Sequence, residues 1–213
     1  MESVVSIAVA HDTVILVFAK APVEGKVNTR LIPDIGVQAA TQLQSDFIHQ
    51  RLIMLTQAKL GDVMLMCAPD DKQNFFLKCK QKYSIKLRKQ SDGNLGERMM
   101  NGVREALTRY QYCIVIGTDA PALEAYIIQQ AIEVLRDKVN VVFVPAEDGG
   151  YVLVGMQQNH DALFQDINWG TTEVMQQSRD RLKEKNISYK ALETCWDVDR
   201  LEDYQRYLEY TKM

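Results

Sequence analysis

Residues 140–156, NVVFVPAEDGGYVLVGM, decide how this chain folds. Two apolar, β-branched runs flank EDGG, and nothing between them is long enough for a crossover helix, so the two strands must run antiparallel or diverge. Asp148-Gly149 is itself a strong hairpin signal. Upstream the pattern is different. TVILVFA (13–19) is a continuous apolar run suited to a strand covered on both faces, and a long helical pattern follows it over 37–59. DVMLMCA (62–68) is a second strand and 70–82 a helix, followed by a short strand in YSIKLRK (83–89). A helix over 95–109, a strand over 112–119 and a helix over 123–137 continue the rhythm. Strands alternating with helices imply a mostly parallel sheet with helices on both faces, and the 140–156 pair interrupts it. A helix over 171–186, a strand-like ISYKALE and a helix near 201–211 complete the chain.

The expected fold class is α/β, a single domain over 1–213 with 1–11 as a loosely ordered extension. The 213 residues, 46% hydrophobic and 25% charged, suffice for one buried core. A net charge of −3 gives no general attraction to nucleic acid or to an anionic membrane. MESVVSIAVAH lacks the basic flank and length of a secretory signal, and no stretch approaches the roughly 20 apolar residues of a membrane span. Cys67, Cys79, Cys113 and Cys195 have no CxxC spacing and read as reduced core thiols of a cytoplasmic protein.

Local charge is more informative. FAKAPVEGKVNTRLIP (18–33) sets Lys20, Lys26 and Arg30 directly after the first strand, with Gly25 for close backbone approach and Pro22 to stiffen the loop. This is a candidate phosphate clamp. It is not a Walker loop, because Val27 follows Gly25-Lys26 and Lys20 stands where the earlier glycine belongs. Ligands of open α/β sheets bind beyond the carboxyl ends of the strands. Three acidic turns are candidates for that edge: GTDAP (117–121), EDGGY (147–151) and WDVDR (196–200). Each has a plain structural reading as well: Asp119 as a helix cap, Asp148 as a turn residue, Asp197 and Asp199 as a solvated loop. Together they offer the oxygen ligands that Mg²⁺ or Mn²⁺ takes alongside substrate phosphates.

FAKAPVEGKVNTRL, DGNLGERM, IGTDAP, DGGYVLVG, WGTTEV and DVD, in that order over 18–199, resemble a bacterial family of GT-A-like proteins with the nucleotide-diphospho-sugar transferase fold. Its members are provisionally assigned as glycosyltransferases and include a proposed arsenosugar-pathway member. The resemblance implies a Rossmann-like, mostly parallel sheet with one antiparallel strand. It implies a metal site at Asp119, completed by one of Asp148, Asp197 and Asp199, with Asp119, Asp148 and Arg30 as the catalytic set. Lys20, Pro22, Gly25, Lys26, Thr29 and Arg30 would contact nucleotide phosphates. So would the start of the DGNLGERM helix, where free N–H groups favour anions, Gly93 and Gly96 permit approach and Arg98 adds charge. Gly149, Gly150, Tyr151 and Trp169 would border the acceptor, though an aromatic before a helix is also an ordinary core residue. Asn28 departs from the family's usual lysine, and Gly170 from its usual serine.

Three functions follow as expectations: glycosyl transfer from a nucleotide-sugar to a small-molecule acceptor, nucleotidyl transfer from a nucleoside triphosphate to a phosphorylated small molecule, or nucleotide binding without catalysis. TRLIP (29–33) also resembles the Thr-Arg-Leu-x-Pro portion of sugar-phosphate nucleotidylyltransferases and supports the second. Nothing in the motifs sets the oligomeric state.

Overall fold

Strand β1 (Thr13–Lys20) is buried from Thr13 to Val17 and lies near the middle of the sheet. A computed structural model describes residues 12–212, so the expectation for 1–11 lies outside the described residues. On one flank β1 pairs in parallel with β2 (Asp62–Ala68), which pairs in parallel with β3 (Lys86–Lys89). On the other flank β1 pairs in parallel with β4 (Tyr112–Ile116), with Val17 opposite Ile116. Next come β6 (Tyr151–Met156), antiparallel to β4, then β5 (Val141–Pro145), antiparallel to β6, and β7 (Tyr189–Ala191), parallel to β5. The order is β3-β2-β1-β4-β6-β5-β7. One strand, β6, opposes all the others, as the 140–156 hairpin requires.

Alternation along the strands divides the core. Ile15, Val17, Ile114 and Val142 face α1 (Ile32–Ala58), α2 (Asn74–Tyr83) and α4 (Ala125–Arg136), meeting Ile48, Leu52, Phe76, Ile128 and Leu135. Leu16, Val115, Phe143 and Val154 face α3 (Leu95–Ala106) and α5 (Val174–Glu184), meeting Met99, Val103, Met175 and Leu182. A third cluster joins Leu31, Leu43 and Phe47 to Trp196, Val198 and Tyr207, fastening α6 (Leu201–Tyr210) to the start of α1. No described helix is long and apolar enough to cross a membrane. The four cysteines are free and buried.

The periodicity places the first helix at 37, whereas helical geometry begins at Ile32 and is interrupted at Gly36 (φ 82°, ψ 162°). Pro33 favours an early start and Gly36 breaks it, so a separate first turn precedes the long helix. The short 3₁₀ turn Asp161–Leu163 has too few residues to produce a periodic pattern.

Candidate functional site

Parallel pairing brings the carboxyl ends of β1 and β4 to one edge, and a cleft of about 430 Å³ opens there. Lys20, Lys26, Thr29, Arg98, Asp119, Asp148, Gly150, Tyr151, Trp169 and Asp197 all border it. Pro22, Gly25, Arg30, Gly93, Gly96, Gly149 and Asp199 lie outside its lining.

The basic wall is a loop held by its polar residues. The Gln44 side chain, on α1, donates to the Lys20 carbonyl at 3.2 Å. Asn28 adopts φ 46°, in the left-handed region that asparagine tolerates, and its side chain donates to the Ala40 carbonyl at 3.0 Å. The asparagine that departs from the family pattern therefore ties the loop to α1. Lys20, Lys26 and Arg30 remain exposed. Arg30 is turned to Asp199, 2.5 Å away, which joins the loop to the WDVD segment at the mouth of the site.

The acidic wall is stitched by backbone. Val198 N–H donates to the Asp119 carbonyl (2.9 Å), Cys195 N–H to Pro145 (2.9 Å) and Glu147 N–H to Cys195 (3.1 Å). WDVD thus lies between the GTD turn and the hairpin. Gly149 shapes that hairpin at φ 90°, and a Cβ there would run into the Thr172 carbonyl. Its own carbonyl accepts from Met175 N–H at 2.9 Å, docking the start of α5. Asp148 Oδ1 accepts from Gly150 N–H at 2.8 Å, so the turn reading of Asp148 holds while its side chain stays exposed at the cleft.

These carboxylates act on one another. Asp119 is open to the cleft, yet the dense protein around its floor strips bulk hydration. That desolvation raises its pKa first; Asp199 and Asp148 add to the rise, and the Arg51 guanidinium opposes it. Asp197 is half-buried and pushed up to about 7, by desolvation and then by the charges of Asp119 and Asp148. Among the described residues no group of three or more His, Cys, Asp or Glu side chains converges closely enough to hold a metal ion. A divalent ion of the Mg²⁺ kind needs only one or two carboxylates when phosphates and water complete its shell. Two carboxylates that border the cleft, Asp119 and Asp197, fit that donor set, because a cation offsets both the desolvation of their charges and the repulsion from neighbouring carboxylates that adds to it.

The helix start at DGNLGERM differs from expectation. Asn94 and Glu97 form a capping box: Asn94 Oδ1 accepts from Glu97 N–H (3.0 Å) and Glu97 Oε2 from Asn94 N–H (2.7 Å). The box occupies donors that were expected to be free and brings a carboxylate to the terminus. Arg98 Nε donates to the Gly93 carbonyl at 2.8 Å while the residue borders the cleft. Gly96 is a packing glycine, since a Cβ there would enter the Trp169 ring and the Phe164 carbonyl. Trp169 stands edge-on to Tyr151 (centroids 6.2 Å, 85°), so it packs and borders the cleft at once.

Three contributors went unseen in the sequence. Gln44 and Gln90 are buried polar residues bordering the cleft; Gln90 Nε2 donates to Met66 (2.8 Å) and Ala19 (3.3 Å) carbonyls, fixing the end of β1. Arg51 is buried behind the GTD turn and donates to the Ala120 and Leu123 carbonyls. Single polar letters inside a helical or loop pattern gave no signal for any of them.

A protein of Desulfovibrio desulfuricans G20, provisionally assigned as a nucleotide-diphospho-sugar transferase, is similar in structure. It is 26% identical with a TM-score of 0.81, over 89% of this chain and 83% of that one. The fold also matches 4-diphosphocytidyl-2C-methyl-D-erythritol synthase from Anaerococcus prevotii DSM 20548 (11% identity, TM-score 0.63, 95% and 100% covered). A further match is CMP:2-keto-3-deoxy-manno-octonic acid synthetase in complex with CTP (12%, 0.59, 94% and 99%). No curated protein sequence matches. Residues 52–171 match the family described as "Uncharacterized protein conserved in bacteria (DUF2064)". That match spans more than half of the 213 residues, and the chain belongs to this family.

Proposed function

We propose that this protein is a metal-dependent glycosyltransferase that moves a sugar from a nucleotide-sugar to a small acceptor carrying no phosphate. One observation carries the reading: the distribution of charge around the cleft. Its cationic lining comes from β1, the loop after it and α3 (Lys20, Lys26, Arg98), whereas the side built by the end of β4, the start of β6 and the WDVD segment before α6 contributes Asp119, Asp148 and Asp197 and, among the described residues, no lysine or arginine. Phosphates suit the first side, and a second, phosphorylated substrate would be repelled by the other. The provisional assignment of the 26%-identical Desulfovibrio protein supports the same reading.

In this reading Lys20, Lys26 and Arg98 bind the diphosphate, with Gly150 and Tyr151 beside the acceptor. Asp119 and Asp197 would hold Mg²⁺ or Mn²⁺, which when bound offsets negative charge on the diphosphate. The acceptor hydroxyl gives its proton to Asp148, its oxygen bonds to the anomeric carbon, and the bond from that carbon to the phosphate oxygen breaks, releasing nucleoside diphosphate. Trp169 and Tyr151 give an apolar wall on which a sugar ring can rest.

TRLIP and the cytidylyl-transferring neighbours favour a second reading, nucleotidyl transfer, in which the exposed basic loop grips a triphosphate. Product identity separates the two. Incubation with Mg²⁺ and a panel of nucleotide-sugars should release nucleoside diphosphate, and incubation with nucleoside triphosphates and sugar phosphates should release no pyrophosphate. Pyrophosphate release alone reverses the assignment, and metal-dependent binding with neither product identifies a non-catalytic binding protein.

A further inference from the structure

Arg51 has no part in the reading above, yet it is the charged side chain most deeply enclosed behind the site. It projects from the middle of α1, is 5% exposed, and has no carboxylate of the described residues within ion-pairing distance. Its two terminal nitrogens donate to the carbonyls of Ala120 and Leu123, and its Nε has no partner among the described residues. A buried cation bonded only to neutral carbonyls, with one donor unsatisfied, costs stability that a leucine at this helical position would not. What it faces offsets that cost. Ala120 directly follows Asp119, the two carbonyls span the turn leading into α4, and Asp119 is the foremost charge acting on Arg51.

We propose that Arg51 is a positioning residue: its planar guanidinium clamps the 120–123 turn from behind, fixing the backbone that presents Asp119 to the cleft, and its charge on the protein side offsets part of the repulsion among the carboxylates that a divalent cation and its nucleotide would meet. The inference rests on the metal-nucleotide reading of the cleft. Geometry distinguishes arginine from lysine here. A guanidinium presents parallel donors in one plane and can bridge two carbonyls, whereas an ammonium is a point donor that keeps the charge and loses the bridge. The counter-charge also lets Asp119, Asp148 and Asp197 border one cleft with less mutual repulsion, which a neutral side chain of equal volume cannot do.

The test uses the full chain and the variants Arg51→Lys and Arg51→Met, with Mn²⁺ and, in turn, ADP, CDP, GDP and UDP as probes. Affinity is measured by calorimetry with Mn²⁺ and with EDTA, below the melting temperature of each variant. The clamp predicts that Mn²⁺-dependent affinity falls at least about tenfold in Arg51→Lys and further in Arg51→Met. Affinity in EDTA should stay within about twofold, because the basic loop is untouched. A purely structural arginine predicts a lower melting temperature with both affinities unchanged, and that result overturns the proposal. Amide hydrogen exchange on the wild type needs no variant and decides the matter if both variants fail to fold. The amides of Thr118, Asp119, Ala120, Ala122 and Leu123 should already be protected without Mn²⁺ or nucleotide; fast exchange there that slows only on addition of both shows that Arg51 does not hold the turn. Wild-type protein whose nucleotide affinity ignores Mn²⁺ defeats the underlying reading, and the clamp with it. Equal metal-dependent affinity in wild type and Arg51→Lys defeats the clamp alone.

Discussion

The two walls of the cleft are built on opposite principles. The basic wall is a loop whose cations are exposed, Arg30 turned to Asp199 and the charges of Lys20 and Lys26 left for a ligand to meet. The acidic wall is stitched together by backbone bonds among the GTD turn, the hairpin and WDVD, and two of its carboxylates, Asp119 and Asp197, are desolvated and raised above the ordinary carboxylate range. The difference follows from electrostatics. Exposed like charges separate cheaply in water, whereas carboxylates gathered on a cleft floor repel in a medium of lower dielectric and stay together only if the backbone holds them. Function on the acidic side should therefore be sensitive to single atoms, and on the basic side graded.

Asp119→Asn is the strongest way to break this contrast. The amide keeps the shape and removes the charge that a divalent ion requires, so the protein should melt near the wild-type temperature while metal-dependent nucleotide affinity is lost. A lost metal corresponds to about 10²-fold or more in rate. Equal metal-dependent affinity in the two proteins would reduce Asp119 to a turn residue.

Gly149→Ala acts on the scaffold. A side chain at φ 90° is strained, and the new Cβ would meet the Thr172 carbonyl that lies beside the start of α5. A loss of about 3 kcal/mol in urea unfolding is expected, at the upper end of ordinary single substitutions. A substitution in the basic loop at Val23, which is exposed, should shift the same measurement by less than about 0.5 kcal/mol.

How much of this could be read from the chain depends on how each feature is encoded. The sheet was legible because buried strands are contiguous apolar runs and helices repeat, and the antiparallel exception was legible because a hairpin leaves no room for a helix. Lys20, Lys26, Asp119, Asp148 and Asp197 were legible as charges at strand ends. Arg51 was not: one charged letter between Ile48 and Leu52 carries no sign that it points inward. The roles of Gly96 and Asn28 depend on Trp169 and Ala40, partners distant in sequence. The Asn94–Glu97 box is spelled NLGE, but the same letters also fit an open helix terminus, and only the side-chain geometry separates the two.

Asp197 sharpens the comparison through pH. Its folded pKa of about 7 lies above the roughly 3.9 of an unfolded aspartate, so between those values the folded state holds a proton that the unfolded state has released. The stability this group contributes is full below about pH 4, declines as pH rises and is lost above about pH 7. Asp197→Asn should be more stable than wild type at pH 8, with the advantage shrinking as pH falls and vanishing below about pH 4. Mg²⁺ should raise the wild-type melting temperature at pH 8 and leave it unchanged at pH 5, where Asp197 is protonated. A pH-independent difference between the two proteins would mean that burial does not shift Asp197.

A small effect on folding belongs to the contact that joins the two walls. Arg30 and Asp199 meet at 2.5 Å with 57% and 42% of their side chains exposed, and a pair so open to solvent contributes at most about 1 kcal/mol to folding. Arg30→Ala should therefore melt within a few degrees of wild type and weaken nucleotide binding about tenfold if the arginine moves to the phosphates. Asp199→Asn supplies the opposite sign. In the absence of ligand Asp199 holds Arg30 away from the cleft lining, so removing its charge frees the arginine, and nucleotide affinity should rise a few-fold at low salt and converge with wild type at high salt. A fall instead would show that Asp199 orients Arg30 toward the phosphates rather than competing with them. No change in either variant would leave the basic wall to Lys20, Lys26 and Arg98, with the ion pair a surface tie between loop and WDVD.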